Sequence, residues 1–247
     1  MTDHQPGTLS GAIERCLLAP LRETRPGWSI GVTRLVDGAH APLSTVGTGN
    51  PYVEDPGDEI QLSAPIRFEG TTLGRVYALV GEAVAPEDQT VLQDVAQKVA
   101  PLLAGPSGVL SAACLETCHT LGQAFPTFDW VGVYRLATNE DLLLTCQLGS
   151  PTPHVRIPVS AGICGAAVRE GGTLNIPDVK ADERFIACST RTRSEVVVPV
   201  RLPDGQIVAE IDVDSDTPAA FGPAEVHAVE AAARELGISW ARETSGS

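Results

Sequence analysis

Two cysteines and four carboxylates are the residues in this chain whose types and spacing could do chemistry. Cys188 stands in RFIACSTRTRSEVVVPV (184–200), seven residues ahead of Glu195. Glu195 opens a valine run that predicts a strand, at a position where a β-branched residue would fit better. Arg184, Arg191 and Arg193 surround Cys188 in sequence, and a guanidinium close in space favours the thiolate. Cys164 lies in RIPVSAGICGAAV (156–168). That segment predicts a turn opening a small-residue helix. A thiol in a first helical turn is favoured as thiolate by backbone N–H groups and the helix dipole. Two such thiols fit a nucleophile and a resolving partner. Their natural chemistry is thiolate attack on an electrophile followed by disulfide formation. The plainer reading makes Cys188 a small core filler and Glu195 a solvated strand-start residue.

In IVAEIDVDSD (207–216), Glu210, Asp212 and Asp214 alternate with Ile211 and Val213. Strand side chains alternate faces, so the three acids share one face and the aliphatics the other. Aspartate is a poor strand former, and like charges along one face repel. The pattern predicts either a solvated edge or a concave site that wants a cation. A substrate ammonium would serve, held by charge-assisted hydrogen bonds. So would a hard ion such as magnesium or calcium, since no histidines cluster here.

These groups must be positioned by a chain of 247 residues, enough for one large domain or two modest ones. Apolar residues make up 43% and charged residues 19%, so real cores can form. A net charge of −14 argues against nucleic acid or an anionic membrane as partner. No apolar run approaches about 18 residues and the N-terminal stretch lacks a signal-peptide pattern, so a cytoplasmic location is expected. In that compartment the six cysteines, at 16, 114, 118, 146, 164 and 188, are core, metal or redox residues rather than a disulfide scaffold. Cys114 and Cys118 lie one helical turn apart and read as helix-face residues.

The chain also resembles itself. TLSGAIERCLL (8–18) matches VLSAACLETCHTL (109–121), and IGVTRL (30–35) matches VGVYRL (131–136), at an offset of about 101 residues. APIRFEGTTLGRVYALV (64–80) matches VPVRLPDGQIVAEIDVD (198–214) without gaps at an offset of about 134. Each copy then ends in a helical pattern opened by proline and acids. Two related domains are expected, 1–105 and 107–243, joined at Gly105-Pro106-Ser107-Gly108. Each is α+β, with helix, two strands, a hairpin and a final helix. The first lacks the counterpart of much of 149–190, which holds both reactive-cysteine candidates. The gapless pairing sets Gln61, Ala78 and Val80 opposite Glu195, Asp212 and Asp214. The first domain is therefore expected to carry no catalytic site.

Residues 109–238 resemble a GAF domain, and specifically the free methionine-(R)-sulfoxide reductase family. The resemblance is carried by DWVGVYRL, VRIPVSAGICGAAV, NIPDV, RFIACSTRTRSEVVVPV, IVAEIDVDS and FGPAEVHAVEAAARELG. The cysteine of G-[IV]-C-G, the cysteine of I-A-C, S-E and D-[IV]-D-S together make a specific set. The first copy then reads as a degenerate GAF-like domain, giving tandem GAF-like domains, each an antiparallel sheet flanked by helices.

The resemblance implies a six-stranded antiparallel sheet with a small enclosed pocket, and thiol-dependent reduction of the R-epimer of free methionine sulfoxide. Cys188 would attack the sulfoxide sulfur, and a protonated pocket carboxyl would supply the oxygen with its proton. Cys164 would resolve the resulting sulfenic acid as a disulfide, and thioredoxin would reduce it. Glu195, Asp212 and Asp214 would face the substrate ammonium, and Trp130 and Tyr134 would pack its methyl group. No metal and no cofactor is implied. Such enzymes are often homodimers, a place the first copy could fill within one chain. One position departs: many members carry a further cysteine where this chain has His154. Cys164 alone resolves, Cys146 helps, or the cycle is impaired. Two other readings stand beside the reductase. One is a non-enzymatic tandem GAF ligand or redox sensor. The other is a zinc protein using His154, Cys164 and Cys188, whose spacing matches no familiar site.

Overall fold

The computed structural model describes residues 7–47, 60–80, 84–137, 140–186 and 189–245. Cys188, the expected nucleophile, lies outside the described residues. The chain divides into two compact units, Met1–Leu115 and Glu116–Ser247.

The first unit opens with α1 (Leu9–Ile13), a π-helical turn (Glu14–Leu18) and α2 (Ala19–Thr24). Strands β1 (Ser29–Val36), β2 (Ala39–Val46), β3 (Ile60–Phe68) and β4 (Thr71–Val80) form an antiparallel sheet of order β2-β1-β4-β3. Helix α3 (Pro86–Leu103) packs on β3 and β4. Pro86 fits the first turn, where its missing N–H costs nothing. Asp88 accepts the Ala85 backbone N–H at 2.8 Å, tying off the helix start.

Helix α4 (Gly108–Ala124) leads into the second unit. There β5 (Trp130–Leu136), β6 (Asp141–Leu148), β7 (Arg156–Pro158), β8 (Leu174–Ile176), β9 (Ser194–Arg201) and β10 (Ile207–Ser215) form a six-stranded sheet, β7-β6-β5-β10-β9-β8. Every pairing in it is antiparallel, as expected. Helix α5 (Gly162–Glu170) packs on β7, β9 and β10, and α6 (Pro223–Ser245) on β9 and β10.

The central order β6-β5-β10-β9 repeats β2-β1-β4-β3 of the first unit. The register corrects the gapless pairing by one residue. Gly31 lies opposite Tyr77 in the first sheet, and its counterpart Gly132 lies opposite Asp212. Asp212 therefore corresponds to Tyr77 and Asp214 to Leu79, rather than to Ala78 and Val80. The physical reason is the hairpin. The β3–β4 turn has two residues, Glu69 and Gly70, both at positive φ. The β9–β10 turn has three, Pro203-Asp204-Gly205, closed by the Gly205 N–H donating to the Leu202 carbonyl. Glu195 keeps Gln61 as its counterpart, since Glu195 pairs Asp214 and Gln61 pairs Leu79.

Candidate functional site

One face of the second sheet collects the chemistry. Asp214 lies opposite Trp130 and Glu195, Asp212 opposite Gly132 and Val197, and Glu210 opposite Tyr134 and Pro199. The shared face of the three β10 acids is thus observed, and Glu195 joins it from β9. The solvated-edge reading fails: Glu210 is 0%, Asp212 2%, Glu195 5% and Asp214 5% exposed. Helix α5 covers this face, with Ile163, Cys164 and Ala167 packing among Trp130, Tyr134, Leu144 and Val197. Gly132 makes room at the centre, because a Cβ there would meet the Trp130 ring at 2.1 Å.

Cys164 sits in the first turn of α5, as the sequence predicts, and is buried. The helix approaches closely because Gly165 has no side chain; a Cβ there would lie 2.4 Å from the Val159 carbonyl oxygen. The Cys164 thiol donates to Asp212 Oδ2 at 3.5 Å. Cys164, Glu195, Asp212 and Asp214 line one small cavity with Ile157, Gly162, Ile163, Phe185 and Ile186. Asp214 and Trp130 also line an adjoining cleft with Ser189, Arg191 and Thr192. The described residues on either side of Cys188 therefore border these two spaces. Tyr134 is buried, donating its hydroxyl to the His154 carbonyl at 2.8 Å, and Trp130 Nε1 donates to Gln147 at 3.3 Å. Both aromatics share the acid face, and neither lines the enclosed cavity.

Burial dominates the electrostatics. Removal from water pushes all four carboxyls up, and their mutual repulsion adds to this for Glu195, Glu210 and Asp214. Asp212 is pushed to about 7, desolvation outweighing the opposing hydrogen bond from Cys164. Both oxygens of Glu210 and Oδ1 of Asp212 are buried without a hydrogen-bond partner. Glu210 is the site residue that the family resemblance omits, although the alternation that marks Asp212 and Asp214 includes it.

The three arginines that flank Cys188 in sequence are each paired with a carboxylate. Arg184 pairs with Asp182 at 2.8 Å and Glu170 at 3.1 Å, Arg191 with Asp216 at 3.3 Å, and Arg193 with Asp178 at 3.9 Å. Cys146 is no resolving thiol for this cavity. A bulge in β6 sets Leu144 opposite Tyr134 but Cys146 opposite Val133, turning Cys146 to the far face. There its Sγ lies 3.2 Å from that of Cys118 on α4. Among the described residues the metal-ligand atoms that gather are those of Cys164, Glu195 and Asp212. Cys146→Ala should accordingly leave any activity of this cavity within about twofold, since distant sites act independently. A loss comparable to that of a Cys164 variant would place Cys146 in the cycle.

A six-stranded antiparallel sheet with a helix-covered polar pocket on one face defines an α+β class, and the GAF domain family matches residues 89–240. The chain belongs to the GAF domain family. Within it, the free methionine-R-sulfoxide reductase of Escherichia coli is 33% identical over 114 residues, 46% of this chain and 67% of that protein. A solved type II free methionine-R-sulfoxide reductase from Thermoplasma acidophilum is 35% identical, with TM-score 0.50 over 53% of this chain and 94% of that one. The substrate complex of the Neisseria meningitidis reductase is 28% identical, with TM-score 0.52 over 67% and 96%. The chain spans little more than half the length of two further curated relatives. Among the described residues no helix is long and apolar enough to cross a membrane.

Proposed function

We propose that this chain reduces free methionine (R)-sulfoxide to methionine, with Cys188 as nucleophile and Cys164 as resolving thiol. One observation carries the reading. A buried cavity is lined by a first-turn cysteine and by carboxyls that have lost their water. Several proteins similar to this chain are free methionine-R-sulfoxide reductases.

The sulfoxide sulfur is a poor electrophile until its oxygen is protonated. Burial raises these carboxyls, Asp212 to about 7, and one of them supplies that acid, so the attacking thiol needs no arginine. Cys188 sulfur forms a bond to the substrate sulfur, and the oxygen takes a proton. The oxygen then passes to the Cys188 sulfur as the substrate S–O bond and the bond between the two sulfurs break, so methionine leaves and Cys188 remains as a sulfenic acid. Cys164 sulfur then displaces water from it, giving a disulfide, and two electrons and two protons from thioredoxin restore both thiols. Cys164 suits this role because it lines the same cavity, with Asp212 within reach of its proton.

The remaining carboxyls explain selectivity for the free amino acid. An incoming ammonium gives them the cation that they lack, and Glu195, Asp212 and Asp214 surround the place that it would take. A peptide-bound methionine has no such charge. Glu195→Gln should weaken use of the free sulfoxide by about 1.5–3 kcal/mol, the range for a charged hydrogen bond. N-acetylation should cost the wild type similarly. Equal kcat/KM for free and N-acetylated sulfoxide would argue against an ammonium pocket. A thioredoxin-coupled assay with separated epimers tests the reaction itself, and turnover of the S-epimer alone, or of neither, would overturn it.

The first unit fits a pared-down GAF-like domain without chemistry. Its sheet repeats the central strand order, but Gln61, Tyr77 and Leu79 stand where the second has Glu195, Asp212 and Asp214. The domain limits 1–105 and 107–243 remain our division of the two functions.

A further inference from the structure

We propose that Cys164, Glu195 and Asp212 form a site for one thiophilic divalent cation of the zinc class, which occupies the cavity in competition with the substrate. This would be an inhibitory site rather than a resident cofactor. The competition rests on the reductase reading; the binding does not.

Each residue offers one ligand atom, and the three atoms lie within 4.8 Å of one another. Zinc bonds of about 2.3 Å to sulfur and 2.0 Å to oxygen at a tetrahedral angle would space the two ligands about 3.5 Å apart. Cys164 Sγ and Asp212 Oδ2 stand at 3.5 Å already. Glu195 would close in by roughly 1 Å to complete three protein ligands, leaving the fourth position to water. The cavity measures about 10 Å³, room for a single ion or water.

A second observation points to a cation. Asp212 Oδ1, on a buried side chain that lines the cavity, has no hydrogen-bond partner, and a cation in the cavity would satisfy it. The mixed donor set sorts between cations. Magnesium and calcium take oxygen alone, whereas a thiolate beside two carboxylates suits zinc or cobalt. Binding displaces the Cys164 thiol proton and the carboxyl protons to solvent, and no electron moves. A metal-held Cys164 cannot resolve a sulfenic acid, and an occupied carboxylate pair cannot take an ammonium.

The test uses the full chain, reduced and free of oxygen, titrated with Co²⁺. One equivalent should bind with a near-ultraviolet thiolate-to-cobalt band, and Zn²⁺ should bleach it. Cys164→Ser should abolish the band. Outer-shell losses at metal sites already cost about 10–100-fold, so Glu195→Gln should raise the cobalt midpoint at least tenfold while keeping the thiol. Free methionine should raise that midpoint too. Absence of the band, or its survival in Cys164→Ser on the Cys118 and Cys146 thiols, would overturn the site. Should Cys164→Ser fail to fold by circular dichroism, an unshifted Glu195→Gln midpoint would overturn it equally. A band unaffected by methionine would remove the competition and leave the ion site standing.

Discussion

Cys188→Ser is expected to bring thioredoxin-driven turnover to background, while Cys164→Ser is expected to release about one methionine per chain and then stop. The two outcomes differ because the cysteines would act in different half-reactions. A serine hydroxyl at 188 is a far weaker nucleophile than a thiol, so the oxygen transfer would not begin. Serine at 164 leaves that transfer intact and removes the sulfur that would displace water from the sulfenic acid. The substitution is nearly isosteric, and Cys164 is a buried first-turn residue of α5 whose packing a hydroxyl can share. Quenched-flow measurement of methionine, with and without thioredoxin, separates the burst from turnover. Peptide mapping of the oxidised wild type should find a 164–188 bridge. Sustained turnover by Cys164→Ser would show that another reductant reaches the sulfenic acid directly. Normal turnover by Cys188→Ser would remove the mechanism.

How far such a site can be read from sequence depends on which contacts are local. The alternation in IVAEIDVDSD placed Glu210, Asp212 and Asp214 on one face, and the sheet keeps them there, because strand geometry alone decides it. The first-turn position of Cys164 follows from Gly162 and the small residues after it, again a local matter. Burial of the acids was not legible. It comes from α5 laid across the sheet, and nothing within β10 records what covers it. Cys146 shows the limit most clearly. Counting by twos from Leu144 puts it on the acid face, and the β6 bulge turns it away. The same blindness shifted the repeat register by the one extra residue of the β9–β10 turn. The carboxylate partners of Arg191 and Arg193, Asp216 and Asp178, lie elsewhere in the chain, so nothing local to 184–200 records those pairs.

The folded protein should lose stability as pH rises from about 5 to 8, against the usual expectation for an acidic pair held by cations. The sign follows from the direction of the shifts. Asp212 titrates at about 7 in the fold, above its ordinary value of 3.8, and Glu195, Glu210 and Asp214 are also held above theirs. The native state thus binds more protons than the unfolded chain across this window. Its stability is fully present below the unfolded carboxyl range, near pH 4, and is lost as pH climbs through the folded values. For Asp212 alone the loss is on the order of 4 kcal/mol once pH passes its folded value. Asp212→Asn should therefore flatten the decline and melt higher than the wild type at pH 8, although it removes a site residue. A ligand carrying an ammonium should offset the same loss. Free methionine is expected to raise the melting temperature more at pH 8 than at pH 5, and N-acetylmethionine to raise it little at either. Melting temperatures that stay flat or rise between pH 5 and 8 would mean that these carboxyls are ionised and satisfied in the native state. Equal stabilisation by the free and N-acetylated forms would mean that the pocket does not read the ammonium.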